Sequence, residues 1–102
     1  MAIVYILHSK TADKFYTGSC LNLEERLLQH KNKFYSKSFT SKYDDWELFI
    51  SIDNLQYQQA RKIENHIKRM KSKTYIHNLS LYPNIIEKLK SKSLYTFFLI
   101  NF

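Results

Sequence analysis

The chain opens on an almost unbroken apolar run, Ala2 to Leu7, built from β-branched, aliphatic and aromatic side chains. A strand with one wet face alternates, so a continuous run over residues 2–8 predicts a strand covered on both faces. Residues 9–14 are polar and short enough for a hairpin loop, and residues 15–19 read as the returning strand. Gly18, the single glycine, ends that strand where the backbone must turn or come close to something. Asn22 suits a helix N-cap, and Glu25 three residues on completes a capping-box pattern, so a helix is expected to about Lys31. Leu23 and Leu27 share one face at four-residue spacing and Leu28 widens the stripe. Arg26 and His30, also four apart, occupy one edge of it and can converge on a common point.

Residues 32–45 are polar and rich in Lys and Ser, with Phe34, Tyr35, Phe39 and Tyr43 interspersed. A loop of this length is often functional. Its alternating lysines and aromatics suit either the phosphates and bases of a nucleic-acid strand or the closing of a core edge. Residues 46–52 alternate, with Trp46, Leu48, Ile50 and Ile52 expected on one face of a third strand. Residues 55–71 carry the longest helical stripe: Tyr57, Ala60, Ile63, Ile67 and Met70. Glu64 falls inside the arc of that stripe, where a carboxylate is costly unless something cationic meets it. Arg61, Lys62, Lys68 and Arg69 fall outside it or at its margin. Residues 73–79 and 84–92 read as two further short helices, and the apolar tail 94–102 suits a strand, core packing or self-association. The expected fold is α/β (α+β), a small, mainly antiparallel three-stranded sheet flanked by helices. Residues 1–80 would form the main domain and residues 81–102 a helical and apolar extension of it.

Composition sharpens this picture in three ways. With 102 residues, 44% of them hydrophobic, the chain has material for one core, and one glycine and one proline leave no linker-like or repetitive segment. The net charge of +7 is confined to the second half. Residues 1–54 hold seven Lys and Arg against seven Asp and Glu, and residues 55–102 hold nine against two. That asymmetry fits a polyanionic partner such as nucleic acid, or a lysine-rich solvated surface. The single Cys20 cannot form an internal disulfide, no basic-then-apolar leader opens the chain, and the longest late apolar run, residues 97–100, is too short for a bilayer. A soluble cytoplasmic protein without membrane attachment is the expectation.

Several motifs occur together in one order: Val4-Tyr5-Ile6-Leu7, then Tyr16-Thr17-Gly18-Ser19, then Leu23-Glu24-Glu25-Arg26-Leu27-Leu28-Gln29-His30, and later Ala60 to Lys68 around Glu64. The two tyrosines are eleven residues apart, Arg26 follows Tyr16 by ten and His30 follows Arg26 by four. This order and spacing resemble the GIY-YIG nuclease family, in particular its small single-domain bacterial members, from about residue 3 to residue 78. Ile3 stands where the namesake glycine would be and Thr17 replaces the isoleucine of the second triplet. The tyrosines that carry the chemistry are retained.

The resemblance implies a metal-dependent DNA endonuclease. Glu64 would bind one divalent ion, Mg²⁺ or Mn²⁺, both of which favour hard oxygen ligands. Arg26 would stabilise charge growing on the phosphate, a task suited to its planar and permanently charged fork. Tyr5 would accept a proton from the attacking water and Tyr16 would position the substrate. His30 would bond a phosphate or a tyrosine hydroxyl, or itself act as base. Lys68, Lys71 and an asparagine after the glutamate helix, Asn78 with Asn84 as its rival, would contact substrate. From the residues alone, Glu64 equally suits an ion pair with Arg26 or a nearby lysine, and the tyrosines suit core aromatics. A nucleic-acid-binding module with little turnover is the alternative. His8, His66 and His77 have no spacing that suggests a zinc site, and Cys20 reads as a small buried residue.

Overall fold

The computed structural model describes residues 1–31 and 45–100, of which 94–100 by backbone alone. Three strands and four helices follow one another: β1 (Ala2–Ser9), β2 (Lys14–Cys20), α1 (Leu23–Lys31), β3 (Trp46–Leu55), α2 (Tyr57–Met70), α3 (Lys73–Leu81) and α4 (Pro83–Ile100). The strands form one antiparallel sheet in the order β2-β1-β3. This is the three-stranded, helix-flanked architecture expected. The aromatic loop at Phe34, Tyr35, Phe39 and Tyr43 lies outside the described residues, as do residues 101–102 of the expected tail.

The apolar run of β1 is central because it packs on both sides. On one face Ala2, Val4 and Ile6 join Ile52, Leu55, Ala60, Ile63, Ile67, Ile76 and Leu79. On the other, Tyr5 and Leu7 join Cys20, with Ile3, Tyr16, Leu23, Leu27 and Trp46 packed around them. Thus α1 covers one face of the sheet and α2 with α3 covers the other. Burial of the larger aliphatic side chains contributes about 1.5–3 kcal/mol each.

β3 departs from simple alternation. Ile6 pairs with Ile50 but Leu7 with Leu48, so Phe49 is an extra residue, and a second irregularity lies between Ala2 and Val4. A bulge of this kind shifts which side chains face the core. Phe49 and Ile50 both reach the α2 side, Trp46 reaches the α1 side, and Leu48 is exposed. The expectation that Trp46, Leu48, Ile50 and Ile52 share a face is therefore corrected. Tyr57 and Met70, at the two ends of the α2 stripe, and Leu28 in α1 are also exposed.

The helix boundaries follow from local chemistry. Asn22 Oδ1 accepts the Glu25 amide at 3.0 Å, and Ser72 Oγ accepts the Tyr75 amide at 3.1 Å at the start of α3. Lys71, at φ 47°, adopts the left-handed conformation that ends α2. Pro83 opens α4 as its first residue, where its missing N–H costs nothing. The tail expected as a strand, a packing segment or a self-association element continues this helix to Ile100. Buried Gln59 ties α4 to α2, its Nε2 donating to the Lys90 carbonyl at 3.0 Å. Among the described residues no helix is long and apolar enough to cross a membrane.

The one glycine is explained by a close approach. Gly18 pairs with Tyr5 across the strands, and a Cβ there would lie 2.6 Å from the Tyr5 hydroxyl oxygen and 2.7 Å from Cζ. Because Tyr5 has no exposed surface, the ring has nowhere to retreat. Gly18→Ala should cost about 1–3 kcal/mol by overpacking, a melting shift of roughly 4–8 °C for each kcal/mol at this size. Combining it with Tyr5→Leu should cost less than the two single losses together. Thermal melts of the four proteins check this, and additive losses would dissociate the glycine from the ring.

Candidate active site

The second strand lies at an edge of the sheet, and its side chains point alternately to the two faces. Tyr16 and Gly18 lie on the α1 side, while Thr17 and Ser19 lie toward α2. A cleft of about 450 Å³ opens along this edge, lined among others by Tyr16, Gly18, Ser19, Arg26, Arg61 and Glu64. Groups from α1 and α2, on opposite faces of the sheet, meet there only because β2 has no outer neighbour among the described strands.

The α1 wall is an aromatic and basic cluster. The Tyr5 hydroxyl and His30 Nε2 are 2.9 Å apart, forming a buried hydrogen bond. The Tyr16 and His30 ring centroids are 5.2 Å apart, edge to face, and Tyr5 and Tyr16 are 6.2 Å apart. Burial holds the Tyr5 phenol well above its ordinary range, and neighbouring Tyr16 raises it further. The Arg26 guanidinium opposes both as donor and as positive charge. Burial, and then the Arg26 charge, push His30 below the usual histidine value. Both effects favour the neutral imidazole, whose unprotonated nitrogen can accept a proton from Tyr5. Arg26 also lies 3.5 Å, through Nη1, from the Ser19 carbonyl.

The α2 wall is built on Glu64. Ser19 Oγ donates to its Oε1 at 2.5 Å, and Lys68 Nζ donates to Oε2 at 2.6 Å. The carboxylate side chain is only 12% exposed. Burial by itself would raise its pKa, but the hydrogen bonds from Lys68 and Ser19, with the charges of Lys68 and Arg61, reverse the balance and lower it. Glu64 therefore stays ionised at neutral pH. It is a hard oxygen donor facing a polar cleft, the kind of group that suits Mg²⁺ or Mn²⁺. Among the described residues no cluster of three His, Cys, Asp or Glu side chains forms. Cys20 lines the same cleft, but burial pushes its thiol up and leaves it a weak nucleophile.

Tyr5, Tyr16, Arg26, His30 and Glu64 thus gather around one edge of the sheet. The two tyrosines differ in access: Tyr16 lines the cleft, whereas Tyr5 is sealed behind it. The ion pair that Glu64 makes is with Lys68, four residues on. Lys68 and Lys71 line a neighbouring hollow. Asn78 lies in α3 with its carbonyl taken by the Tyr82 amide at 2.8 Å, and it lines neither space. Ser19, Tyr57 and Arg61 were not anticipated. Arg61 precedes Glu64 by three residues, a spacing that puts both on one helix face, while the apolar stripe places it only outside the arc or at its margin. Ser19 could be found only from the alternation of β2.

A family model described as the GIY-YIG catalytic domain matches residues 1–76. No curated protein and no solved structure matches the chain.

The His30 environment gives a signed expectation. Its depressed pKa means that the unfolded chain binds the proton more readily. The His30 contribution to stability is therefore present above about 6.5, the unfolded value, and is lost as pH falls through the folded value. Arg26→Gln should move the His30 pKa upward and narrow this window. NMR titration of the imidazole checks the shift, and an unchanged or lower pKa would contradict it.

Proposed function

The chain belongs to the GIY-YIG family, and from that premise we propose a metal-dependent endonuclease that hydrolyses DNA phosphodiester bonds. Members of the family are nucleases, which makes nucleic acid the substrate class. The observation that supports the reading best is the convergence of Tyr16, Arg26 and Glu64 on one cleft from opposite faces of the sheet.

In this reading Arg26 leaves the Tyr5 hydroxyl and the Ser19 carbonyl to bond the scissile phosphate, where its charge meets the negative charge of the in-line transition state. The relay requires that movement to open the buried Tyr5 hydroxyl to water. As the water's oxygen bonds to phosphorus, its proton passes to the Tyr5 oxygen while the Tyr5 proton passes to His30 Nε2 along the existing 2.9 Å bond. The opposite P–O bond breaks, and the leaving strand's oxygen takes a proton from solvent. The raised phenol pKa makes a standing tyrosinate rare at neutral pH, and the relay avoids one by ending on a neutral imidazole. Tyr16, which lines the cleft, orients water and phosphate. Glu64 would hold the divalent ion, Mg²⁺ or Mn²⁺, in place of its bond to Lys68. When bound, the ion supplies positive charge against the phosphate oxygens. Lys68 and Lys71 then serve the substrate backbone, together with the basic surface downstream of residue 54. Asn78 has no place in this version of the site. Residues 83–93 brace the same domain through α4.

One observation favours a second reading. The Lys68 ammonium already neutralises Glu64, so a module that binds nucleic acid and turns over slowly would have the same geometry. Labelled duplex, flap, bubble, four-way junction and single-stranded DNAs, incubated with Mg²⁺, Mn²⁺ or EDTA, separate the two. The nuclease reading expects metal-dependent cutting that Glu64→Ala abolishes, whereas salt-sensitive binding without cutting by the wild type would support the binder.

The relay has its own signature. Tyr5→Phe should lower the cleavage rate by about 10²–10⁴. In the wild type the rate should fall in acid with an apparent pKa below the ordinary histidine value, because only neutral His30 can accept. A rate that kept rising into alkaline pH would instead point to a tyrosinate base.

A further inference from the structure

A second hollow, of about 470 Å³, lies beside the cleft between β2 and the junction of α2 with α3. Tyr16 lines both spaces, and Lys68, which lines the hollow, is bonded to Glu64 in the cleft. Its floor is apolar, formed by Phe15, Ile67 and Ile76, and Lys14, Lys68, Lys71 and Lys73 surround it. The Phe15 ring is braced by neighbours, with centroid distances of 4.6 Å to His8, 5.1 Å to Phe49 and 5.4 Å to His77. Asp13 holds Lys73 at 3.0 Å from outside the hollow.

We propose that this hollow receives one unpaired nucleotide of the substrate strand, next to the phosphate held in the cleft. The inference rests on the nuclease reading and adds a substrate class to it: strands with an unpaired nucleotide at the cut, such as flaps, frayed ends or single strands. A ring of four lysines fits the phosphates on either side of a nucleotide. The braced aromatic and aliphatic floor has nothing to offer a phosphate, but it fits the flat face of a base. In an intact duplex that face is stacked on its neighbours, so only an unpaired base can reach the floor. The volume lies within the roughly 300–1,000 Å³ usual for small-molecule pockets, enough for a single nucleotide. Continuity through Tyr16 and Lys68 places that nucleotide beside the cleft.

The test compares binding of a fluorescently labelled flap DNA with a blunt duplex of the same sequence, by anisotropy in EDTA so that no cutting intervenes. Wild-type protein should prefer the flap. Lys14→Gln combined with Lys73→Gln should weaken flap binding about tenfold and duplex binding no more than about twofold. Phe15→Leu, which keeps an apolar side chain but removes the ring, should lose the flap preference while remaining folded by circular dichroism. Equal affinity of the wild type for both DNAs, parallel losses on both, or no loss on either would overturn the proposal. Glu64-dependent hydrolysis of bis(p-nitrophenyl) phosphate, which is small enough to use the cleft alone, tests the underlying reading separately. Hydrolysis without flap preference would sink the hollow and keep the nuclease.

Discussion

Everything around the cleft depends on one buried phenol. Tyr5 sits in the central strand with no exposed surface, its ring fitted into the space that Gly18 leaves and its hydroxyl bonded to His30. A buried hydroxyl left without a partner would cost about 1–3 kcal/mol, so the bond fixes where α1 can dock and which way His30 points. Arg26, one turn earlier on α1, is thereby held over the sheet edge. The single glycine, the first tyrosine and the histidine are one packing solution. The cleft geometry is its consequence.

The second wall is tied to the first through the sheet edge. Ser19 presents its carbonyl toward Arg26 and its hydroxyl to Glu64, so one residue of β2 links the basic wall to the acidic one. Such an arrangement needs an edge strand, because a further strand would cover the groove. It also accounts for an ionised carboxylate at low exposure: a serine and a lysine satisfy its oxygens, and the charges of Lys68 and Arg61 favour its ionised form. Electrostatically the site is primed for anions. Arg61 and Lys68 act on the Glu64 carboxylate, Arg26 lines the same cleft, and the lysines of the adjoining hollow continue the same positive field.

Much of this was legible in the sequence, and the failures have physical reasons. The unbroken β1 run announced a strand buried on both faces, and four-residue spacing placed Arg26 with His30. Glu64 stood out because a carboxylate inside an apolar helical stripe needs partners. Phe49 and Leu48 misled because a bulge is a backbone event with no signature in alternation. Arg61 was set aside because helical periodicity separates core from solvent but cannot separate solvent from a cleft wall. Tyr57 was expected in the core for the same reason and instead stands 61% exposed at the cleft. The different access of Tyr5 and Tyr16 is hidden as well, since both occupy the same face of the sheet and it takes the strand order, with Tyr5 central and Tyr16 at the edge, to separate them.

The central claim is that water, and neither tyrosine, attacks the phosphorus in a single in-line step. The stereochemical course of cleavage at a phosphorothioate made chiral at phosphorus and by ¹⁸O labelling tests this most directly. A single displacement by water predicts inversion of configuration in the product. Retention would reveal a covalent tyrosyl intermediate and contradict the account.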